Sequence, residues 1–263
     1  MISSTANRQV KFVRELARKA RARREAGLFL AEGVRICAEI PGGRIDTLYV
    51  SESFSRTAEA KPLINGNSRL EIVTDEVFQY MSDTKNPQGI LALVKQQSAG
   101  LNDIWQEEGR QKALLLILDT LQDPGNLGTI IRAGEGAGVT GVIMNEMTAD
   151  IYNPKVIRST MGSVFRVPFV YVEDLPEVLK WLKQKGICLY AACPEGRNNY
   201  EQGDYTNHSG FLIGNEAAGL SKQVSEMADQ YIRIPMLGNV ESLNAAVAAS
   251  VLMFEAARQR RLP

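Results

Sequence analysis

The sequence is short of the groups that most enzymes use for acid–base, metal or redox chemistry. It has one histidine and three cysteines in 263 residues. Cys37, Cys188 and Cys193 are odd in number, widely scattered and free of any CxxC spacing, which argues against both a disulfide framework and a zinc site. No metal is expected. His208 lies in the polar stretch NNYEQGDYTNHSG, where a solvated loop histidine is a better reading than a general base. No apolar run is long enough to cross a bilayer, since LLLIL from Leu114 stops at Asp119. The basic, polar N-terminus lacks the apolar core of a secretory signal, so a cytoplasmic protein without membrane contact is expected. P-loop and GxSxG patterns are missing. Gly136, Gly138 and Gly141 do spell GxGxxG, but they close a helix and precede a strand. A dinucleotide fingerprint must do the reverse, because the helix N-terminus holds the pyrophosphate.

What is present is an ordinary globular composition, 44% apolar and 23% charged, at a length that suits one large domain or two modest ones. Net charge is zero but unevenly spread. Residues 1–24 carry eight Lys/Arg against Glu15 alone, a net of +7, which leaves −7 for the remainder. Such asymmetry points to an anionic partner at the N-terminus, with nucleic acid the first candidate and a solvated helix face the alternative. Asn7–Ala26 reads as one helix with an apolar stripe of Val10, Val13, Leu16, Ala17 and Ala20, stopped by Gly27. Arg8, Lys11, Arg18, Arg21 and Arg24 are the candidate nucleic-acid contacts.

Strands at 29–31, 45–50, 70–73 and 90–94, with helices at 32–40, 56–63 and 75–81 and a turn at Asn65-Gly66-Asn67, make a compact α/β unit over residues 1–95. The polar run KQQSAGLND that starts at Lys95 predicts a linker over residues 96–104. Residues 105–263 then alternate strands (113–118, 139–144, 165–170, 187–192, 211–213, 231–234) with helices (127–137, 154–161, 176–185, 221–227, 243–261). That alternation predicts a mostly parallel α/β domain. The last helix is Ala-rich and apolar on more than one side, as a surface covered by a second copy of the chain would be.

Three polar clusters each follow a strand, so all three can gather at one sheet edge, where α/β folds place ligands. They are Asn126 with Arg132, Glu216 between Gly214 and Gly219, and Ser242 with Asn244. Taken alone, Asp123–Asn126 is a turn, Arg132 is a phosphate clamp or a helix-surface residue, and Ser242 is a plain N-cap or part of a site.

In this order and spacing, DxxxDPGNLGxxxR, GNExxGL and IPMxGxxxSLN resemble the three motifs of the SpoU family of RNA ribose 2′-O-methyltransferases. REAGLFLAEGVR and NPQGILALV resemble that family's N-terminal substrate-binding domain. Ala245 stands where the family commonly has valine, a small apolar change. The resemblance implies a C-terminal domain threaded into a trefoil knot, S-adenosylmethionine held largely by main-chain groups at Gly214, Ile234 and Leu243, and a homodimer. It implies a catalytic set of Arg132, Asn126, Glu216, Ser242 and Asn244, with Arg132 either taking the ribose proton or clamping the adjacent phosphate. Large-subunit ribosomal RNA is the expected substrate. Transfer RNA, or RNA binding without catalysis, are the alternatives.

Overall fold

The computed structural model describes residues 1–65, 69–97, 99–105, 112–194 and 196–261. Gly66 and Asn67 of the expected turn, and Ser98 of the expected linker, lie outside the described residues. The chain divides into two compact units. The first comprises residues 1–97 and 150–165, the second residues 98–149 and 166–263.

In the first unit, β1 (Leu28–Glu32), β2 (Ile45–Ser51), β3 (Leu70–Val73) and β4 (Ile90–Lys95) form a mixed sheet in the order β1-β4-β2-β3. Among the described residues, β2–β3 is the only parallel strand pair of this sheet. Around it lie α1 (Arg8–Arg18), α2 (Ala20–Ala26), α3 (Val34–Ala38), α4 (Glu52–Ser55), α5 (Ala60–Ile64) and α6 (Asp75–Met81). Val10, Val13, Leu16 and Ala17 of α1 pack with Val77, Phe78 and Met81 of α6, because apolar side chains at i, i+3 and i+7 share one helix face.

The single N-terminal helix expected from the pattern is broken at Lys19, whose backbone is extended. The reason is Arg23. Its side chain is 3% exposed and donates to the carbonyls of Leu16 (2.6 Å) and Ala17 (3.4 Å), which the break leaves without helical partners. It also pairs with Asp150 at 2.6 Å. One of the eight basic residues is therefore an internal brace and unavailable to a partner. The expected helix at 56–63 is likewise two short ones. Thr57 Oγ1 accepts from Ala60 N (3.2 Å) and donates to Phe54 O (2.8 Å), ending α4 and opening α5.

The second unit begins with α7 (Leu101–Ile104) inside the stretch expected to be a linker. Its sheet contains β5 (Leu114–Leu118), β6 (Gly141–Asn145), β7 (Phe169–Val172), β8 (Cys188–Ala192), β9 (Asn198–Asn199), β10 (Ser209–Ile213) and β11 (Gln230–Arg233). The order is β7-β6-β5-β10-β8-β11-β9 and every pairing is parallel. The central strands β5 and β10 are buried at every position, as expected of strands covered on both faces. Helices α8 (Pro124–Ala137), α10 (Leu175–Gln184), α11 (Lys222–Ser225) and α12 (Ala245–Arg261) flank the sheet.

The helix α9 (Pro154–Thr160) groups with the first unit, although the sequence pattern places residues 150–165 in the C-terminal domain. Tyr152 stacks on Phe29 at 4.6 Å, and Arg158 pairs with Asp83 at 3.2 Å. The strand expected at 165–170 starts later, at Phe169. Residues Ser163–Phe165 form a 3-10 turn, and Pro168 has no N–H to give a ladder. His208 is not a solvated loop residue. It is half-buried, its Nδ1 accepts from Ala113 N at 3.0 Å, and its ring lies 4.9 Å from that of Trp105. Removal from water, with Lys112 and Arg260 nearby, holds the imidazole below its ordinary value.

Candidate active site

The stretch read as a turn at Asp123–Asn126 is the first turn of α8. Asp123 Oδ1 accepts from Asn126 N at 2.8 Å, and Pro124 occupies a position where its missing N–H costs nothing. The cap places Asn126 beside the loop that follows β10. There Asn126 Nδ2 donates to Glu216 Oε1 at 2.9 Å. The same carboxylate accepts from Asp123 N at 3.0 Å and, through Oε2, from Gln122 N at 3.1 Å. Partial withdrawal from water would raise the Glu216 carboxyl, but these hydrogen bonds to its charged form outweigh that and hold it below its ordinary value.

Asn244 closes the chain from the other side, donating through Nδ2 to Asn126 Oδ1 at 2.9 Å. Its own Oδ1 accepts from Ala246 N (2.9 Å) and Val247 N (3.3 Å), and its carbonyl accepts from Ala248 N. The N-cap of the last helix is therefore Asn244, not Ser242, and the helix begins at Ala245. Ser242 is exposed two residues earlier, on the wall of the cavity described next. Three loops far apart in sequence are thus tied by one row of side chains, Asn244–Asn126–Glu216.

Beside that row lies a cavity of about 830 Å³, formed where the chain leaves the carboxyl ends of β8, β10 and β11. Gly214, Ile234 and Leu243 all line it, with Glu216 and Ser242. A Cβ on Gly214 would fall 2.2 Å from the main chain of Gly219 and Leu220, so only glycine allows this loop to double back. The close approach is held by reciprocal main-chain bonds of 2.9 Å between Asn215 and Gly219. Ile213, Ile234, Leu243 and Leu252 give the cavity apolar walls, and the intervening loops present main chain. Among the described residues, 235–243 make no hydrogen bond, so this wall offers donors and acceptors still without partners. Apolar walls with convergent main-chain groups, at a size within the usual range for small-molecule sites, suit a nucleoside-containing ligand.

Arg132 stands apart from this cluster. It lies about two turns into α8, is exposed, and its side chain forms no hydrogen bond or ion pair among the described residues. Asn126 and Glu216 bond to each other rather than to it. With Gly125, Thr129 and Gly136 it forms one stripe of the helix at i, i+4, i+7 and i+11. The candidate RNA contacts Arg8, Lys11, Arg18, Arg21 and Arg24 are all exposed, with Arg21 paired to Glu25 at 2.6 Å.

Asp119 and Asn215 stand in DxxxDPGNLGxxxR and GNExxGL, but the pattern gives them no role in supporting the site. Asp119, 3% exposed, accepts from Asn145 Nδ2 (2.9 Å) and from Ser221 N (2.8 Å), joining the ends of β5, β6 and the loop after β10. Asn215 Nδ2 donates to Thr120 O at 2.9 Å, and Thr120 has the unusual φ of +60°. A carboxylate directly after five buried apolar residues was the available signal for Asp119. At the far end of α12, Arg260 donates to the carbonyls of Lys112, Ala113, Tyr205 and Asn207.

The SpoU rRNA Methylase family model matches residues 113–254, which contain the whole of this site except its outermost supports. The chain belongs to that family. The MRM3-like substrate binding domain model matches residues 7–92. Among SpoU-type relatives, the 23S rRNA (guanosine(2553)-2′-O)-methyltransferase RlmP of Bacillus subtilis (strain 168) is 29% identical over 255 residues, spanning 96% of this chain and 97% of the relative. The 23S rRNA (uridine(2479)-2′-O)-methyltransferase of Streptomyces viridochromogenes is 32% identical over 247 residues, spanning 90% and 85%. The crystal structure of the SpoU methyltransferase AviRb from Streptomyces viridochromogenes, in complex with AdoMet, superposes with a TM-score of 0.88 at 30% identity, covering 97% of this chain and 98% of that one.

Proposed function

We propose that this SpoU-family enzyme methylates a ribose 2′-hydroxyl of large-subunit ribosomal RNA, with S-adenosylmethionine as donor. The observation that carries the proposal is the convergence of three loops on one cavity with the Asn244–Asn126–Glu216 row at its side. Relatives that the chain matches along nearly their whole length are named for that reaction on 23S rRNA.

When bound, the cofactor supplies a methyl group already activated as a sulfonium substituent. The chain's own task is then mostly positioning. Main chain at Gly214, Ile234 and Leu243 would hold the cofactor, Ser242 would offer its hydroxyl from the cavity wall, and Asn244 fixes the start of the last helix. Glu216, ionised and fully engaged, orients Asn126 toward the ribose. Arginine is effectively always protonated in proteins, so Arg132 is assigned to the phosphate beside the reacting ribose rather than to the 2′-hydroxyl proton. That proton leaves to the phosphate or to water.

The exposed position of Arg132 is explained by a homodimer. Val247 and Phe254, 50% and 47% exposed, lie on the outer face of α12, and a Cβ on Gly136 would approach Phe254 to 3.7 Å. A two-fold interface there would cover this apolar face and place Arg132 in a site shared with the second copy. The parallel order, in which β10 lies between β5 and β8 and α12 returns to pack on α8, is consistent with the trefoil knot that family membership implies. Three free cysteines suit a reducing, cytoplasmic location.

The test is methyl transfer from labelled S-adenosylmethionine to purified ribosomal RNA, with the modified ribose then mapped. Arg132→Ala should lower transfer about a hundredfold or more while cofactor binding by calorimetry is unchanged. Transfer at the wild-type rate would remove Arg132 from the mechanism, and methylation of transfer RNA alone would redirect the substrate. Mixing Arg132→Ala with a cofactor-site variant, Gly214→Ala, should restore activity if sites are shared between copies.

A further inference from the structure

Within the first unit, one exposed aromatic ring is built into a cationic surface. Tyr80, near the end of α6, is 45% exposed, and the guanidinium of Arg14 lies over its ring at 5.0 Å from the centroid. Arg14 is itself held, donating to Ser82 O at 3.3 Å, so the plane under the ring is fixed. Lys11 and Arg18 flank Arg14 at i−3 and i+4, which places all three along one stripe of α1 next to its buried face. Both are exposed. Two nearby carboxylates are already engaged, Glu15 with Lys19 at 2.9 Å and Asp83 with Arg158 at 3.2 Å.

A surface tyrosine that merely stabilised the fold would gain from Arg14 alone and would need no further cations. Here one ring face is backed by a cation, and beside it run Lys11 and Arg18, which have no ion-pair partner among the described residues. That arrangement matches what an unpaired nucleotide needs, an aromatic plane for the base and a cationic track for the backbone. Glu76, one turn earlier in α6, would repel phosphate, which places the backbone on the Lys11–Arg18 side. We infer that Tyr80, backed by Arg14, is a stacking platform for an unpaired base of the RNA substrate, with Lys11 and Arg18 holding the phosphates on either side. This rests on the reading of the chain as an RNA methyltransferase and deepens it, since duplex RNA offers no free base face to such a ring.

The experiment uses the full chain and a single-stranded oligoribonucleotide of about twelve residues carrying 2-aminopurine, a length within the usual range for such sites. Its fluorescence falls when the base stacks on an aromatic ring. Wild type and Tyr80→Phe should quench it and bind alike, whereas Tyr80→Ala should lose the quench and bind about tenfold more weakly. The pair Lys11→Ala and Arg18→Ala should instead reduce the salt dependence of binding, by a slope of about one to two, and leave the quench of the bound fraction in place. Thermal unfolding of Tyr80→Ala close to wild type shows that the fold is retained. Quench and affinity unchanged in Tyr80→Ala would overturn the platform, as would equal affinity for a duplex of the same length. Failure of the wild-type protein to methylate any RNA would instead remove the reading beneath it, a result independent of Tyr80.

Discussion

The two sides of the cavity differ in how they are held. On one side, the loop after β10 lines the cavity and is tied by side chains to the loop after β5: Glu216 to Asn126 and two main-chain N–H groups, Asn215 to Thr120, Asp119 to Asn145 and Ser221. On the other, residues 235–243 make no hydrogen bond among the described residues, and Leu237 and Val240 on that stretch project into solvent. Preorganised polar groups cost nothing to arrange at the moment of reaction, so the braced side suits the catalytic groups. Unpaired main chain is a reservoir of donors and acceptors, and a ligand that satisfies it also orders it. On the function proposed above, the first wall carries Glu216 and its partners together with the cofactor contact at Gly214, and the second carries the cofactor contacts at Ile234 and Leu243.

The largest test of this contrast is Gly214→Ala. A methyl group 2.2 Å from main chain cannot be accommodated by rotamer changes, so the braced loop must move. Cofactor affinity is expected to drop about a hundredfold or more, two powers of ten being about 2.7 kcal/mol, with transfer lost alongside it. Calorimetry showing wild-type affinity would mean that the wall is not held as described.

Asn244→Ala removes both a helix cap and the bond to Asn126. The cap alone should lower stability by about 1 kcal/mol in denaturant unfolding. The lost row should lower the transfer rate by more than the cofactor affinity, which a cap acting only on stability would not do.

Glu216 provides a pH test with a defined sign. Its folded value lies below the ordinary 4.5 of the unfolded chain. The contribution to stability is therefore present above about 4.5 and is lost as pH falls through the folded value. Because the side chain is exposed, the effect is small, about 1 kcal/mol or less after solvent screening. In Glu216→Gln the acid limb of the stability profile should flatten. A slope identical to wild type would show that the row does not depend on the charge.

The smallest effect is expected on the open wall. A Cβ added at Gly238 would meet no atom within 4 Å, and the residue has no positive φ, so alanine fits there. By reducing the freedom of the unbound loop, Gly238→Ala should tighten cofactor binding a few-fold, in line with about 0.4–1 kcal/mol for such substitutions. Amide exchange across 236–243 should be fast in the free protein and slowed by cofactor. Protection already complete without cofactor would erase the difference between the two walls.

Much of the architecture was legible from local pattern. Runs such as LLLIL and FLI mark buried parallel strands, and the polar residues after them mark strand ends, because burial on both faces excludes polarity until the chain emerges. Helix limits were less legible. Asp123 and Asn244 move two helix starts by side-chain capping, and Lys19 ends a helix whose apolar stripe continues past it.

What the sequence determined by itself was the set of polar groups available and their places after strands, since these follow from residue type and short-range periodicity. What only the tertiary structure decided was which of them meet. Asn126 finds Glu216 90 residues later and Asn244 118 residues later, Arg23 is taken out of the basic surface by Asp150 127 residues on, and residues 150–165 pack with the first unit. Hydrogen bonds act over about 3 Å and carry no trace in the spacing of residues along the chain, so partnership at such separations is settled by the path of the fold.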